Sequence, residues 1–462
     1  MSTHTKKTVK TTNKKPAAKA PAKKPVAKTT VKATPKVPAK KPTPKPAMPV
    51  EAKHQAAVPV KDKKDDVKTI AIYDKRHDGY VAGFRAYEDL LTDVKDMEAN
   101  SRWLPGMQSK DIKVFPLEAP MFAASVADKY GMDPEMCELT ATEGSKLYLT
   151  LPDGTTKLLD SCGVATLYGR ACLFGSALGR MIPANLADAL NLALEVAQGD
   201  ALVLERYGKV AALHSDAAGG YCVMPISALL NVVTRNVTAR CGKMDFISGS
   251  NSHSYTTAIW ALPEVQEKLM LKYREALLKA NIRPHMDISA AMPVVRFNTS
   301  DTATSSATVR PMFMLGKSFV QLVDDISVAH TRRVSANSKD GVSLFEQKLD
   351  EELYARMFEA VENLTALTEI EIQHPTNVIV GICNKFRIAK KYGNSALEQT
   401  WVTELNGESV SAHDVFLLLN QAISEAKDST VVFDLGEKLC ALANPKFDWA
   451  AYDVGGTVAW AN

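Results

Sequence analysis

The stretch Pro183–Ser215, PANLADALNLALEVAQGDALVLERYGKVAALHS, decides the fold class because its pattern changes at one glycine. Pro183–Gln198 reads as a helix, with proline in the first turn and Gly199 at its end. Ala201–Ser215 reads as a hairpin, with Leu202 and Leu204 on one face and Tyr207-Gly208-Lys209 at the turn. Upstream, Gly163–Leu173 is a further helix. Lys146–Asp160 is a further hairpin that alternates Leu147, Leu149 and Leu151 before turning at Pro152-Asp153-Gly154. Earlier still, Thr69–Tyr73 reads as a strand and Phe84–Met97 as a helix with Tyr87, Leu90, Leu91 and Val94 on one face.

Downstream the chain is more helical. Pro263–Ala280 places Val265, Leu269, Tyr273 and Leu277 at four-residue spacing, and Met286–Val328 is rich in β-branched residues and reads as strands. A long helix is expected from a capping box at Ser343 and Glu346, repeating Phe345, Leu349, Leu353, Met357, Ala360, Leu364 and Leu367. A helix is expected over Thr376–Tyr392, stopping at Gly393, and another from a capping box at Ser411 and Asp414. The end, with Trp449, Tyr452 and Trp460, reads as an irregular cap. The expected class is α+β, with mixed hairpins and helices in lobe 69–260 and mostly helix in lobe 261–462.

Before these lobes lies a segment of another kind. Residues 1–68 hold 19 lysines, no arginine and 4 acids, a net charge of +15, whereas the other 394 residues carry 37 basic and 48 acidic side chains, a net charge of −11. Ten prolines fall in the first 60 residues, and leucine and aromatic residues are absent from 1–68. Such a chain cannot bury enough apolar surface to offset its entropy, so a disordered Lys/Ala/Pro-rich tail is expected. Lysines spaced along it, as at Lys14-Lys15, Lys23-Lys24 and Lys40-Lys41, suit sequence-independent contact with nucleic-acid phosphates. A solubilising tail, or one that folds back on the acidic body, is the alternative. The tail resembles those of linker histones.

No apolar run reaches the roughly 18 residues of a membrane span, and the N-terminus lacks the apolar core of a signal peptide. The seven cysteines are scattered and form no CxxC pair, as in a cytosolic protein with reduced thiols. The expected location is the host cytoplasm, on the nucleoid or packaged in a virion, with no membrane partner and with self-association as a further option.

Motifs for catalysis are weak. Gly316-Lys317-Ser318 ends like a P-loop, but Pro311 stands where the first glycine belongs and a strand follows, so a strand-turn-strand is the better account. His214, His253, His285, His330, His374 and His413 lack metal-ligand spacing, and His253 in the serine-rich loop Ser248–Ser254 lacks a nucleophile elbow. Asp324-Asp325 and Asp448 near Asp453 are the acid pairs a metal-dependent nuclease would use. No cofactor and no catalytic residue is assigned. A cationic stripe of Arg387, Lys390 and Lys391, aided by Arg332 and Arg333, could track phosphates, or could simply complement a helix C-terminus.

The order of segments resembles the phage/plasmid-like proteins, a mobile-element family of unknown function. The resemblance rests on Ala184-Asn185-Leu186 to Leu194, Val210–Asp216, Met224-Pro225, Phe297–Asp301, Arg310-Pro311-Met312, Val328-Ala329-His330-Thr331 and Asp448-Trp449. It covers about residues 145–455, with no counterpart for the tail or for Cys222–Ser254. It implies DNA metabolism by association with phage recombination, and supplies no catalytic residues. The expected function is a non-enzymatic DNA-associated protein of a mobile element, a single-strand-binding or annealing factor. The alternatives are a virion protein whose tail contacts the genome and a divergent metal-dependent nuclease.

Overall fold

The structure, a computed structural model, describes residues 69–281, 283–331, 340–399, 402, 410–426 and 429–461. The fold is α+β, and residues 65–462 form one unit. Two sheets organise it. The larger runs β1 (Thr69–Ala71), β2 (Val81–Phe84), β9 (Asp245–Ser252), β10 (Thr256–Ala261), β11 (Met292–Thr299), β12 (Ala307–Leu315) and β13 (Ser318–Gln321), with β14 (Ile326–Val328) also on β12. All its pairings are antiparallel. The smaller runs β3 (Ser101–Gln108), β7 (Asp200–Arg206), β8 (Lys209–Ser215), β6 (Thr156–Leu159), β5 (Leu147–Thr150) and β4 (Lys113–Pro116), with only β6 and β8 parallel. A two-residue ladder joins β15 (Glu371–Ile372) and β16 (Val410–Ser411). The larger sheet takes strands from both sides of residue 260, and β10 itself spans it.

Both expected hairpins form. Positive φ at Tyr207 and Gly208 turns β7 into β8, and Gly154 at φ +83° turns β5 into β6. Gly316 at φ +60° lets β12 return as β13 through Gly316-Lys317, so the P-loop-like tripeptide is a strand-turn-strand. On one face of the larger sheet, Phe297 packs against Phe345 of the helix Gly341–Ala366, which buries Phe345, Leu349, Leu353, Met357, Ala360 and Leu364 as its spacing predicts. The smaller sheet has its own core of Leu147, Leu149, Leu190, Leu194, Val203 and Leu213.

Several helix boundaries differ from expectation: Gly163–Leu173 ends at Arg170 and Pro183–Gln198 at Val196. Phe84 belongs to β2, and the first helix is Tyr87–Ala99. The long helix is capped by Asp340, whose side chain accepts from the Ser343 amide, so Ser343 lies inside the first turn. The helix expected over Thr376–Tyr392 is two, Pro375–Phe386 and Lys390–Leu397, broken at Arg387. Arg387 takes a left-handed conformation, φ +54°, and the Ile388 amide bonds back to the Cys383 carbonyl. Ser411 caps the helix Ala412–Ile423, its Oγ accepting from the Asp414 amide at 3.3 Å and donating to Asp414 Oδ2 at 2.7 Å, while Asp414 Oδ1 accepts from the Met286 amide.

The two sheets meet at the tip of the β7–β8 hairpin, where two cations are buried. Arg206 donates from Nη2 to Asp301 Oδ2 at 2.6 Å, from Nη1 to the His253 carbonyl at 3.1 Å and from Nε to Ser101 Oγ at 2.9 Å. Lys209 Nζ sits 2.6 Å from Asp78 Oδ1, and both side chains are under a tenth exposed. Asp78 Oδ2 accepts from the Ser161 amide and hydroxyl. Burial by itself would raise the Asp78 pKa, but Lys209 and Ser161 hold it below the usual carboxylate value.

Removing one partner of such a pair strands a charge in the interior. Lys209→Met is therefore expected to cost roughly 3–5 kcal/mol in urea unfolding of the full chain, and Lys209→Met with Asp78→Leu to recover most of the loss.

Candidate nucleic-acid interface

Of the basic residues marked by the sequence, Lys14, Lys15, Lys23, Lys24, Lys40, Lys41, Arg332 and Arg333 lie outside the described residues. Arg387, Lys390 and Lys391 are described and exposed, and Lys385 beside them is exposed as well. The helix break changes their electrostatic setting. Arg387 caps the C-terminus of Pro375–Phe386, where a cation complements the dipole. Lys390 and Lys391 open the next helix instead, at its positive end, so the dipole does not account for them. None of the four forms an ion pair with another described residue.

An aromatic residue joins the patch through the C-terminal segment. Asn377 Nδ2 donates to the carbonyls of Val454 and Gly456 at 2.6 and 2.9 Å. Asn384 Nδ2 donates to the Ala459 carbonyl at 2.9 Å, while its Oδ1 accepts from the Ala461 amide at 2.8 Å. These two asparagines lay residues 454–461 along the helix Pro375–Phe386. Trp460 is thereby set against Gly393, where a Cβ would run into the indole, and half-buried under Lys390, whose Nζ is 5.7 Å from the ring centroid. Sequence spacing could not pair Trp460 with Lys390, because the asparagine clamp acts across some 75 residues.

Of the two acid pairs, Asp325, Asp448 and Asp453 are already engaged, and Asp324 is exposed. Asp325 accepts two bonds from Arg310, at 2.7 and 2.6 Å, and Arg310 also reaches Glu437 at 3.0 Å. Asp453 accepts from the amides of Gln373 and His374 at the start of the helix Pro375–Phe386, and Asp448 accepts from the Ala451 amide. Among the described residues, no group of three or more His, Cys, Asp or Glu side chains is arranged to hold a metal ion.

Two of the histidines weighed as ligands serve in a stack. Tyr221 lies between His214, 3.7 Å away between centroids, and His330, 5.2 Å away, with Trp103 tilted against His214. His214 Nε2 bonds the Asp301 carbonyl at 2.7 Å, and His330 Nε2 the Thr299 hydroxyl at 3.1 Å. His253, at the same joint, is buried with neither ring nitrogen bonded to a described residue. Burial drives His214 down to about 4 and lowers His330 and His253 too, so all three favour the neutral form.

Unfolded histidine takes its proton near pH 6.5. Folded His214 takes one only near 4. The unfolded state therefore binds more protons between those values, and stability falls as pH drops through that window. The His214 share of this loss is roughly 3 kcal/mol. Urea midpoints measured from pH 7.5 to 4 should fall for the native chain and fall less for His214→Gln. Comparison of the chain with protein-family models, with curated proteins and with solved structures found no match.

Proposed function

We propose that the chain is a DNA-associated protein that binds single strands non-specifically, in keeping with its resemblance to the phage/plasmid-like proteins. The carrying observation is the exposed quartet Lys385, Arg387, Lys390 and Lys391, free of ion pairs with described residues, with Trp460 under Lys390. Cations that neutralise phosphates beside an aromatic face that stacks a base are the elements of sequence-tolerant single-strand binding. The +15 segment 1–68 adds an electrostatic contribution that reads no sequence. The net charge of −11 on the remaining residues restricts any phosphate path to a local surface such as this one. Annealing of strands is the role in recombination this chemistry fits, since it requires binding without nucleotide hydrolysis.

A second reading, a virion component with the tail on the genome, draws on a different surface. Phe174, Ile182, Leu192 and Val196 are each more than half exposed, within 23 residues of chain. Exposed apolar groups at this density suit self-association.

Fluorescence anisotropy of labelled oligothymidylate and of duplex, across a salt series, separates the two. Residues 65–462, one unit by contacts, should retain binding with preference for the single strand. Arg387→Ala, Lys390→Ala and Lys391→Ala together should weaken it and reduce the slope of log K against log salt by about 2. Trp460→Ala should weaken binding at all salt concentrations. Binding that vanishes with residues 1–64, together with high-order assembly in light scattering, would favour the virion reading.

A further inference from the structure

The face of the larger sheet turned away from the long helix carries two arginines directly opposite one another, Arg296 on β11 and Arg310 on β12. Like charges at such a register repel, and both are about 95 % buried. Their partners differ. Arg310 is neutralised by Asp325 and Glu437. Arg296 forms no ion pair with a described residue: Nε donates to Thr257 Oγ1 at 3.3 Å, Nη2 donates to the Tyr255 hydroxyl, and Nη1 bonds no described residue. Its plane lies on the Phe433 ring, with Cζ 3.5 Å from the centroid. A ring face supports a guanidinium without neutralising it. Burial, with Arg310 close by, pulls the Arg296 pKa down, the sign of a cation short of a counter-charge.

This guanidinium borders a pocket of about 540 Å³. Asn298, two residues along the same face, accepts at Oδ1 from Thr257 and has no described partner for its amide nitrogen. Ser254, Ser305, Ser306 and Ser327 line the same space. Asp434 also lines it but is exposed, so solvent screens it, while Asp325 and Glu437 pair with Arg310 and Asp325 offsets the Arg296 charge only from a distance. A planar donor without an ion pair and an amide nitrogen without a described partner border one volume lined by serines, and such donors are what an oxyanion with several acceptor oxygens requires. The volume suits a small molecule larger than an inorganic ion.

We infer that the Arg296 pocket binds a phosphate group carried by a nucleotide, whether free or within a strand, with Arg296 as its counter-ion. The site is separate from the Trp460 patch and does not depend on it. Isothermal titration of the full chain with orthophosphate, thymidine monophosphate and thymidine, at constant ionic strength, tests it. The two phosphates should bind and thymidine should not. Arg296→Gln should weaken monophosphate binding by at least about tenfold. Ser306→Trp, on a half-exposed loop where it fills the pocket from the rim, should do the same if Arg296→Gln fails to fold. The Arg387, Lys390 and Lys391 triple alanine should leave monophosphate binding unchanged, so that failure here and failure of the strand-binding reading are told apart. Equal affinity for thymidine and its monophosphate, no heat from either phosphate, or native affinity in both pocket variants would overturn the inference. Oligothymidylate lacking terminal phosphates competes if the site takes strand phosphodiesters and does not if it takes free nucleotide; either result fits a phosphate site and names the source.

Discussion

Burial of Arg206 and Lys209 at the joint between the two sheets is the constraint around which the rest is arranged. A guanidinium and an ammonium removed from water need complete compensation. Each receives a carboxylate from across the joint: Asp301, just after β11, for Arg206, and Asp78, between β1 and β2, for Lys209. The neighbouring groups follow from this. His214 reaches the Asp301 carbonyl, Tyr221 reaches the Ser300 carbonyl, and Tyr207 at the hairpin tip bonds Asp96. A polar joint demands a particular geometry, which an apolar one of similar area would not. The smaller sheet is thus locked in register against the larger one.

The same sheet then presents two chemically distinct faces. One is apolar and closed by the long helix, with Phe297 against Phe345 at 6.2 Å between centroids. The other begins apolar, with Val294, Ile259 and Met312, and turns polar at Arg296, Asn298 and Thr308, where Phe433 stacks on Arg296. A strand alternates its side chains, so one run, Val294 to Asn298, serves both a core and a pocket. The Trp460 patch arises from another device, in which two asparagines hold a segment without regular structure against a helix. The pocket therefore sits on a rigid support, and the patch on a segment held by hydrogen bonds.

Much of the framework was legible in the chain. Hairpins announced themselves at Asp153-Gly154 and Tyr207-Gly208, and the long helix by its repeat, because both depend on local backbone preference and on a periodic apolar face. The break at Arg387 was not legible: no glycine marks it, and a non-glycine residue enters the left-handed region only under tertiary support. Strands β9 and β10 were hidden for another reason. Residues such as Ser248, Ser250 and Ser252 of β9 read as loop, and they hold a strand position because β2 and β10 pair with them on both sides.

Charge shows the division between sequence and tertiary structure most clearly. The sequence by itself determined the α+β class, the periodicity of the long helix and the contrast between a +15 segment and a −11 remainder, since composition and short-range spacing carry these. It did not determine which charges meet water. Arg206 and Lys209 flank a hairpin turn, where cations are ordinarily solvated, and Arg296 lies in a strand with nothing local to distinguish it. The burial of Arg206 and Lys209 was decided by groups 47 to 131 residues away, and that of Arg296 by the distant Phe433 ring that stacks on it. Only tertiary structure sets these conditions, because the cost of burying a charge depends on which partners the fold delivers.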